Sequence, residues 1–105
     1  MFGLISKIQA NRGARDQLAS ILITGCASMP GCLSYVVAAD ATDRDALWIT
    51  EVWASAKLHK ASLQLPQVRK AMAAGRGLIA GFGERFQTTP IGGSGIAESG
   101  RDSSA

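Results

Sequence analysis

The sequence is poor in the residues that build disulfide frameworks and zinc sites. Its 105 residues include two cysteines, Cys26 and Cys32, and a single histidine, His59. One pair of thiols is too few for a disulfide framework, and reduced thiols are typical of a cytoplasmic protein. Two cysteines and one histidine also fall short of the four ligands of a structural zinc site, so no metal is predicted.

Long apolar runs are also missing. No stretch approaches the roughly 18 consecutive apolar residues that cross a bilayer, so no membrane partner is predicted. The N-terminal segment lacks a basic region and is interrupted by Lys7, which argues against a secretory signal.

The net charge is +3, and the eleven Lys and Arg residues are scattered along the chain. That distribution favours solubility over nucleic-acid binding.

Composition divides the chain in two. Residues 91–105 are rich in Gly and Ser and nearly free of large apolar residues. Such a segment buries too little surface to offset its ordering entropy, so a flexible tail is predicted there. Residues 1–90 remain as one domain. A single core of that size is marginal, and domains of this kind often gain burial by oligomerising.

Apolar periodicity and turn residues predict four strands and three helices. The predicted strands cover residues 2–9, 32–39, 46–53 and 78–88, and the predicted helices cover residues 14–25, 55–63 and 66–75. Ser55 suits a helix N-cap, and Pro66 suits the first position of a helix. The order β-α-β-β-α-α-β predicts a ferredoxin-like α+β fold, with a four-stranded antiparallel sheet and helices on one face.

The third predicted strand is apolar on both faces. Trp48 and Val52 point one way, and Leu47, Ile49 and Trp53 point the other way. A monomer with helices on one side of its sheet would normally keep the other side polar. Burial against a second copy explains an apolar second face, so a homodimer is predicted.

Glu51 and Trp53 lie two positions apart on that strand, so their side chains share a face. A carboxylate on an apolar face must find a partner or a proton. One interpretation is an acid/base or orienting group in a pocket; the other is a structural ion pair with Arg85 or Lys7. Trp53 is either a donor to a substrate oxygen or an ordinary core residue.

The remaining candidates come from other elements. The imidazole of His59 is the side chain suited to proton transfer near neutral pH, and its alternative is a half-exposed surface position. Tyr35 and Arg85 have groups that stabilise a developing oxyanion, although each is more often structural. Phe82, on the same strand as Arg85, is a further predicted substrate contact. The Gly81-Phe82-Gly83 segment matches an RNA-binding strand poorly, because Ala80 stands where a basic residue is expected.

Several short segments together resemble the antibiotic biosynthesis monooxygenase family over about residues 2–88. They are Met29-Pro30-Gly31, the polar hairpin 40–45, Glu51-Val52-Trp53 with Ser55, residues 59–66, and Ile79-Ala80-Gly81-Phe82. The resemblance implies ferredoxin-like dimers with a β-barrel at the interface. Its heme-degrading branch does not fit, because the Trp and His of that branch would fall near Ser62 and Met72. Many relatives also carry a histidine where this chain has Ser62.

The resemblance implies oxygenation of an electron-rich aromatic, such as a quinol or an anthrone, by O2 without a cofactor. For that reaction we assign His59 as the base or proton shuttle, although it stands three residues before the position of the relatives' histidine, and Trp53, Tyr35 and Arg85 as the contacts to the anion. Glu51 would orient one of these groups. The alternative is a non-catalytic dimeric module of the same fold that binds a small ligand. A cavity that holds His59, Trp53 and Arg85 together would favour the enzyme.

Overall fold

The computed structural model describes residues 1–96, and its elements follow the predicted order. The strands are β1 (Phe2–Ala10), β2 (Cys32–Ala39), β3 (Ala46–Trp53) and β4 (Ile79–Thr88). The helices are α1 (Arg15–Gly25), α2 (Ala56–Ser62) and α3 (Pro66–Gly75), and a 3-10 turn at Arg76–Leu78 precedes β4. The strands form one antiparallel sheet in the order β2-β3-β1-β4. The ferredoxin-like α+β fold is therefore confirmed.

The pairing register assigns each strand residue to a face. Leu4 stands opposite Glu51, and Ile8 opposite Leu47. Residues opposite each other on neighbouring strands share a face, so the even positions of β1 and the odd positions of β3 point the same way. Leu47 packs with Leu18 of α1, which makes this the helix-covered face. On β2, Tyr35 stands opposite Glu51 and joins this face.

Two adjoining clusters form the core on the helix-covered face. One centres on Leu18 and Leu47, both almost fully buried. The other centres on Trp53, with Met29 and Val68 packed around it. Helices α1 and α3 approach closely where Gly25 of α1 contacts Ala71 of α3. Burial of these apolar side chains supplies the main driving force for the fold.

Turn and cap residues act as predicted. The Ser55 hydroxyl accepts a hydrogen bond from the Leu58 N–H at 3.2 Å and caps α2. Pro66 begins α3. Gly31 has a φ of +80°, and a Cβ there would lie 2.6 Å from the Leu58 Cδ1 atom. Glycine therefore suits both the turn before β2 and the close approach of α2.

The β2–β3 hairpin is organised by Asp40. Its carboxylate accepts hydrogen bonds from the Asp43 and Thr42 backbone N–H groups, each at 2.9 Å. It also accepts one from the Trp48 indole at 2.7 Å. These bonds, led by the one from Asp43, hold the pKa of Asp40 well below its usual range. The Lys7 ammonium lies 4.0 Å from the same carboxylate.

The second face of the sheet carries apolar side chains in the single chain. Val36 is 50% exposed and Phe86 52% exposed, and Trp48 and Val52 are half-buried between them in the sheet. Residues 97–105 of the predicted tail lie outside the described residues. Across residues 1–96 no helix is both long enough and apolar enough to cross a membrane.

Candidate active site

A cavity of about 470 Å³ opens on the helix-covered face, between His59 of α2 and strand β4. Five of the six predicted site residues line it: Tyr35, Glu51, His59, Phe82 and Arg85. Its floor comes from β1 and β3, and its size is within the usual range for small-molecule sites. Trp53 does not line the cavity but lies behind Glu51, 1% exposed.

Glu51 joins Trp53 to His59. The Trp53 indole N–H donates to Glu51 Oε1 at 2.9 Å, and the same oxygen lies 3.9 Å from His59 Nε2. The Glu51 and His59 side chains are only 14% and 16% exposed. The carboxylate is thus held by a buried donor on one side and faces the imidazole on the other, an arrangement that favours a base oriented by an acid.

His59 turns inward from α2 and packs between two rings. Its ring centroid lies 5.3 Å from that of Phe2 and 5.4 Å from that of Trp53, edge-on to the indole. Buried Ser62 donates its hydroxyl to the His59 backbone carbonyl at 2.6 Å. These contacts restrict the imidazole to the cavity wall, and they exclude the alternative of a half-exposed surface histidine.

Tyr35 separates this cavity from a smaller one of about 320 Å³ that contains both cysteines. Burial, followed by the neighbouring Cys26 thiol, raises the pKa of the Tyr35 hydroxyl. Burial also raises the pKa of both thiols, that of Cys32 to about 11. Tyr35 therefore stays a neutral O–H group that can donate a hydrogen bond, and the thiols are poor nucleophiles.

An irregularity in β4 brings Phe82 and Arg85 to the same face. Phe82 stands opposite Ile8 and Arg85 opposite Ser6, so two residues of β4 face Lys7 alone. Without this β-bulge, residues three apart would point to opposite faces. Both side chains line the cavity, where Arg85 supplies a cation and Phe82, 77% exposed, an apolar edge.

Two sequence-based interpretations need correction. The Trp53 N–H does not face the cavity, because Glu51 accepts its hydrogen bond. Glu51 makes no ion pair with Arg85 or Lys7 within residues 1–96; Lys7 instead approaches Asp40 from the second face. Glu51 is therefore the group that meets the cavity, and Trp53 supports it from behind.

Three further residues near the site were not predicted from the sequence. Phe2 contacts His59 through ring packing, and Cys26 contacts Tyr35 from the end of α1. Ser6 lines the cavity floor beside Arg85. No group of three or more metal-ligating side chains is present among the described residues.

A model of the antibiotic biosynthesis monooxygenase family matches residues 1–74. The chain belongs to this family. A crystal structure from Chloroflexus aurantiacus J-10-fl, whose assignment to the antibiotic biosynthesis monooxygenases is provisional, is 58% identical. The match covers 91% of this chain and 98% of that one, with a TM-score of 0.88.

Solved structures of lower sequence identity support the fold alone. A Deinococcus radiodurans protein with the same provisional assignment is 22% identical, with a TM-score of 0.71 over 89% of this chain and 95% of its own. A Pseudomonas aeruginosa protein is 19% identical, with a TM-score of 0.74 over 87% and 94%. No curated protein matches the chain. The antibiotic biosynthesis monooxygenase fold is thus established, and the reaction is a separate question.

Proposed function

We propose that this family member is a monooxygenase that oxidises an electron-rich aromatic, such as a hydroquinone or an anthrone, with O2 and without a cofactor. The observation that carries the proposal is the meeting of Glu51 and His59 at the wall of a cavity that also holds Tyr35 and Arg85. These are the groups needed to remove a proton and to hold the resulting anion.

In the proposed mechanism, the substrate enters with its acidic proton toward His59 Nε2; this is the hydroxyl proton of a hydroquinone or the methylene proton of an anthrone. The imidazole takes the proton, and Glu51 holds the ring in place and stabilises the imidazolium. Arg85 faces the phenolate with a positive charge, and the neutral Tyr35 hydroxyl is a donor to its oxygen. The Glu51 and His59 side chains are only 14% and 16% exposed, which strengthens the interactions at that end of the cavity relative to water.

The substrate supplies every electron in this scheme. The bound anion passes one electron to O2, the two radicals combine, and a peroxide forms on the ring carbon. Loss of water from the peroxide leaves a carbonyl. A hydroquinone thereby gains one oxygen atom and loses two hydrogen atoms, which leave with the other oxygen atom as water. The product is a hydroxyquinone, and no external reductant is required. The protein contributes proton removal and anion binding.

The proposal includes a homodimer in the cytoplasm. The exposed Val36 and Phe86, together with Trp48, form an apolar second face that a second copy would cover. A covered sheet would also stiffen the strands that position Glu51 and Tyr35. Sedimentation that shows a monomer at micromolar concentration would contradict this part of the proposal.

One observation favours a second candidate function, a non-catalytic module that binds a small ligand. The 3.9 Å between His59 Nε2 and Glu51 Oε1 is longer than a hydrogen bond. In a binding module these groups would only orient a ligand, and bound phenol would not be oxidised. Many catalytic hydrogen bonds tighten only when substrate binds, so the distance is compatible with both functions.

Oxygen uptake distinguishes the two functions. Protein freed of metal and flavin is incubated with 1,4-naphthohydroquinone or anthrone, and uptake is compared with the uncatalysed oxidation. His59→Gln should lower kcat by a factor on the order of 10²–10⁴, because the base is lost. Lys60→Gln, on the exposed side of the same helix, is the matched control and should keep full activity. Equal rates for the two variants would refute the assignment of His59.

A further inference from the structure

A second cavity adjoins the candidate active site. It has a volume of about 480 Å³ and lies between α1, α3 and β4; we call it the apolar annex. Its walls are almost entirely aliphatic, with Leu18 and Leu22 on one side and Met72 and Ile79 on the other. Arg76, at the rim, is the one ionisable residue that lines it. An apolar cavity of this size suits a hydrocarbon group.

The annex and the active-site cavity meet at Ile8 and Phe82, which line both. Phe82 is 77% exposed, although it stands on the helix-covered face. Irregular pairing flanks it on both sides, opposite Lys7 and again between Gln9 and Ala10. Bulges of this kind re-aim side chains near active sites. Here they place an uncovered aromatic ring at the junction of the two cavities.

The two cavities differ in chemistry. The active-site cavity contains Glu51, His59 and Arg85, whereas the annex offers aliphatic contacts. A single-ring phenol would occupy the first and leave the annex, with the side of Phe82 that borders it, uncovered. A phenol with an apolar arm would cover both, with the arm lying across the Phe82 ring. The gain would come from apolar surface removed from water.

We propose that the substrate is a phenol or hydroquinone that carries an apolar arm, with the hydroxylated ring beside His59 and the arm in the apolar annex across Phe82. This inference rests on the proposed function for its reactive ring. It adds a specificity determinant: Phe82 and the annex select for the arm. Removal of the arm should weaken binding without changing which group is deprotonated.

The test uses 4-alkylphenols, which bind without needing to be oxidised. Dissociation constants of phenol, 4-ethylphenol, 4-butylphenol and 4-hexylphenol are measured by calorimetry with the full chain. Each methylene that enters the annex should tighten binding by up to about fourfold, the factor that corresponds to ~0.8 kcal/mol. The gain should level off once the arm is longer than the annex. Affinity that does not depend on arm length would overturn the proposal.

Variants separate the annex from general hydrophobicity. Ala80 lines the annex and is exposed, so Ala80→Trp should fill the annex and abolish the dependence on arm length, with phenol itself bound as before. Ala73→Trp is the matched control, because Ala73 is exposed on α3 and lines neither cavity. The same length dependence in both variants would overturn the proposal.

A second variant protects the test against misfolding. Met72 is 51% exposed, so Met72→Ala should fold normally, enlarge the annex and move the levelling-off to longer arms. If Ala80→Trp instead changes the sedimentation of the protein, a second copy occupies the annex and the proposal fails. Length-dependent binding without oxygen uptake would refute the proposed function alone. Oxygen uptake that ignores the arm would refute this inference alone.

Discussion

Replacement of Glu51 by alanine removes the acceptor of a buried hydrogen bond. The Trp53 side chain is 1% exposed, and its N–H donates to Glu51 Oε1 at 2.9 Å. Without the carboxylate, the side chains that pack around Trp53, such as Met29 and Val68, offer that N–H no acceptor in its place. A buried donor left without a partner costs roughly 1–3 kcal/mol. For a domain of this size, that cost should lower the melting temperature by roughly 4–24 °C.

Glu51→Gln separates the hydrogen bond from the charge. The amide oxygen can still accept the indole N–H, so only the additional strength from the negative charge is lost. That loss should be about 1 kcal/mol, since charge-assisted hydrogen bonds are roughly twice as strong as neutral ones. The order of stability should therefore be wild type, Glu51→Gln, then Glu51→Ala.

Trp53→Phe tests the same pair from the other side. In this background no indole N–H needs an acceptor, so Glu51→Ala should cost much less than it does with Trp53 present. Urea denaturation of wild type, Glu51→Ala, Trp53→Phe and the double variant, at one fixed protein concentration, gives the coupling free energy between Glu51 and Trp53. We expect about 1–2 kcal/mol. An equal cost of Glu51→Ala in both backgrounds would refute the claim that Glu51 supports Trp53.

Three further predictions follow from Tyr35, the cysteines and Gly31. Because the pKa of Tyr35 is raised, the unfolded state loses its phenolic proton first as the pH rises. The contribution of Tyr35 to stability should therefore be constant below pH 10 and should fall above it by at most about 1.4 kcal/mol per pH unit, in addition to the loss that the two thiols cause from about pH 9. Absorbance at 295 nm, which reports the single tyrosine, should change only as the protein unfolds, and an earlier change would contradict the burial of Tyr35. With its pKa raised from 9.0 to about 11, the Cys32 thiol should react with iodoacetamide at pH 8 about 100-fold more slowly in the folded than in the unfolded protein. Mass mapping of the alkylated cysteine checks this, and comparable rates would show that the thiol is not protected. Gly31→Ala should destabilise the fold by roughly 1–3 kcal/mol, because its Cβ would crowd Leu58 at a φ of +80°. Gly77→Ala, which meets open space, should change stability by less than about 0.5 kcal/mol in the same urea titration.

Most of the fold follows from local patterns in the sequence. Alternation along 46–53 assigned Glu51 and Trp53 to one face, and the register confirms that face as the helix-covered one. Ser55 and Pro66 indicated helix starts for two reasons. A serine hydroxyl accepts a hydrogen bond from a free N–H of the first turn, and proline lacks the N–H that would be unpaired at that position. Boundaries differ by single residues: Leu78 ends a 3-10 turn instead of beginning β4, and α2 ends at Ser62 instead of Leu63.

The site was less predictable because it depends on contacts between elements. Period-two alternation puts Phe82 and Arg85 on opposite faces, and only the bulge opposite Lys7 brings them together. Whether the Trp53 N–H donates to a substrate or to Glu51 depends on the side-chain rotamers, which residue spacing does not predict. The packing of Phe2 on His59 joins the first strand to α2, a contact that arises only when the sheet is assembled.

Isotope labelling shows whether the protein transfers oxygen to a bound substrate. Anthrone is oxidised under 18O2 by protein freed of metal and flavin, and the product is examined by mass spectrometry. We expect anthraquinone with one 18O atom, formed faster than in the absence of protein, with the excess rate lost in His59→Gln and kept in Lys60→Gln. If wild-type protein binds anthrone but forms labelled product no faster than buffer does, the cavity around Glu51 and His59 is a binding site and not an active site.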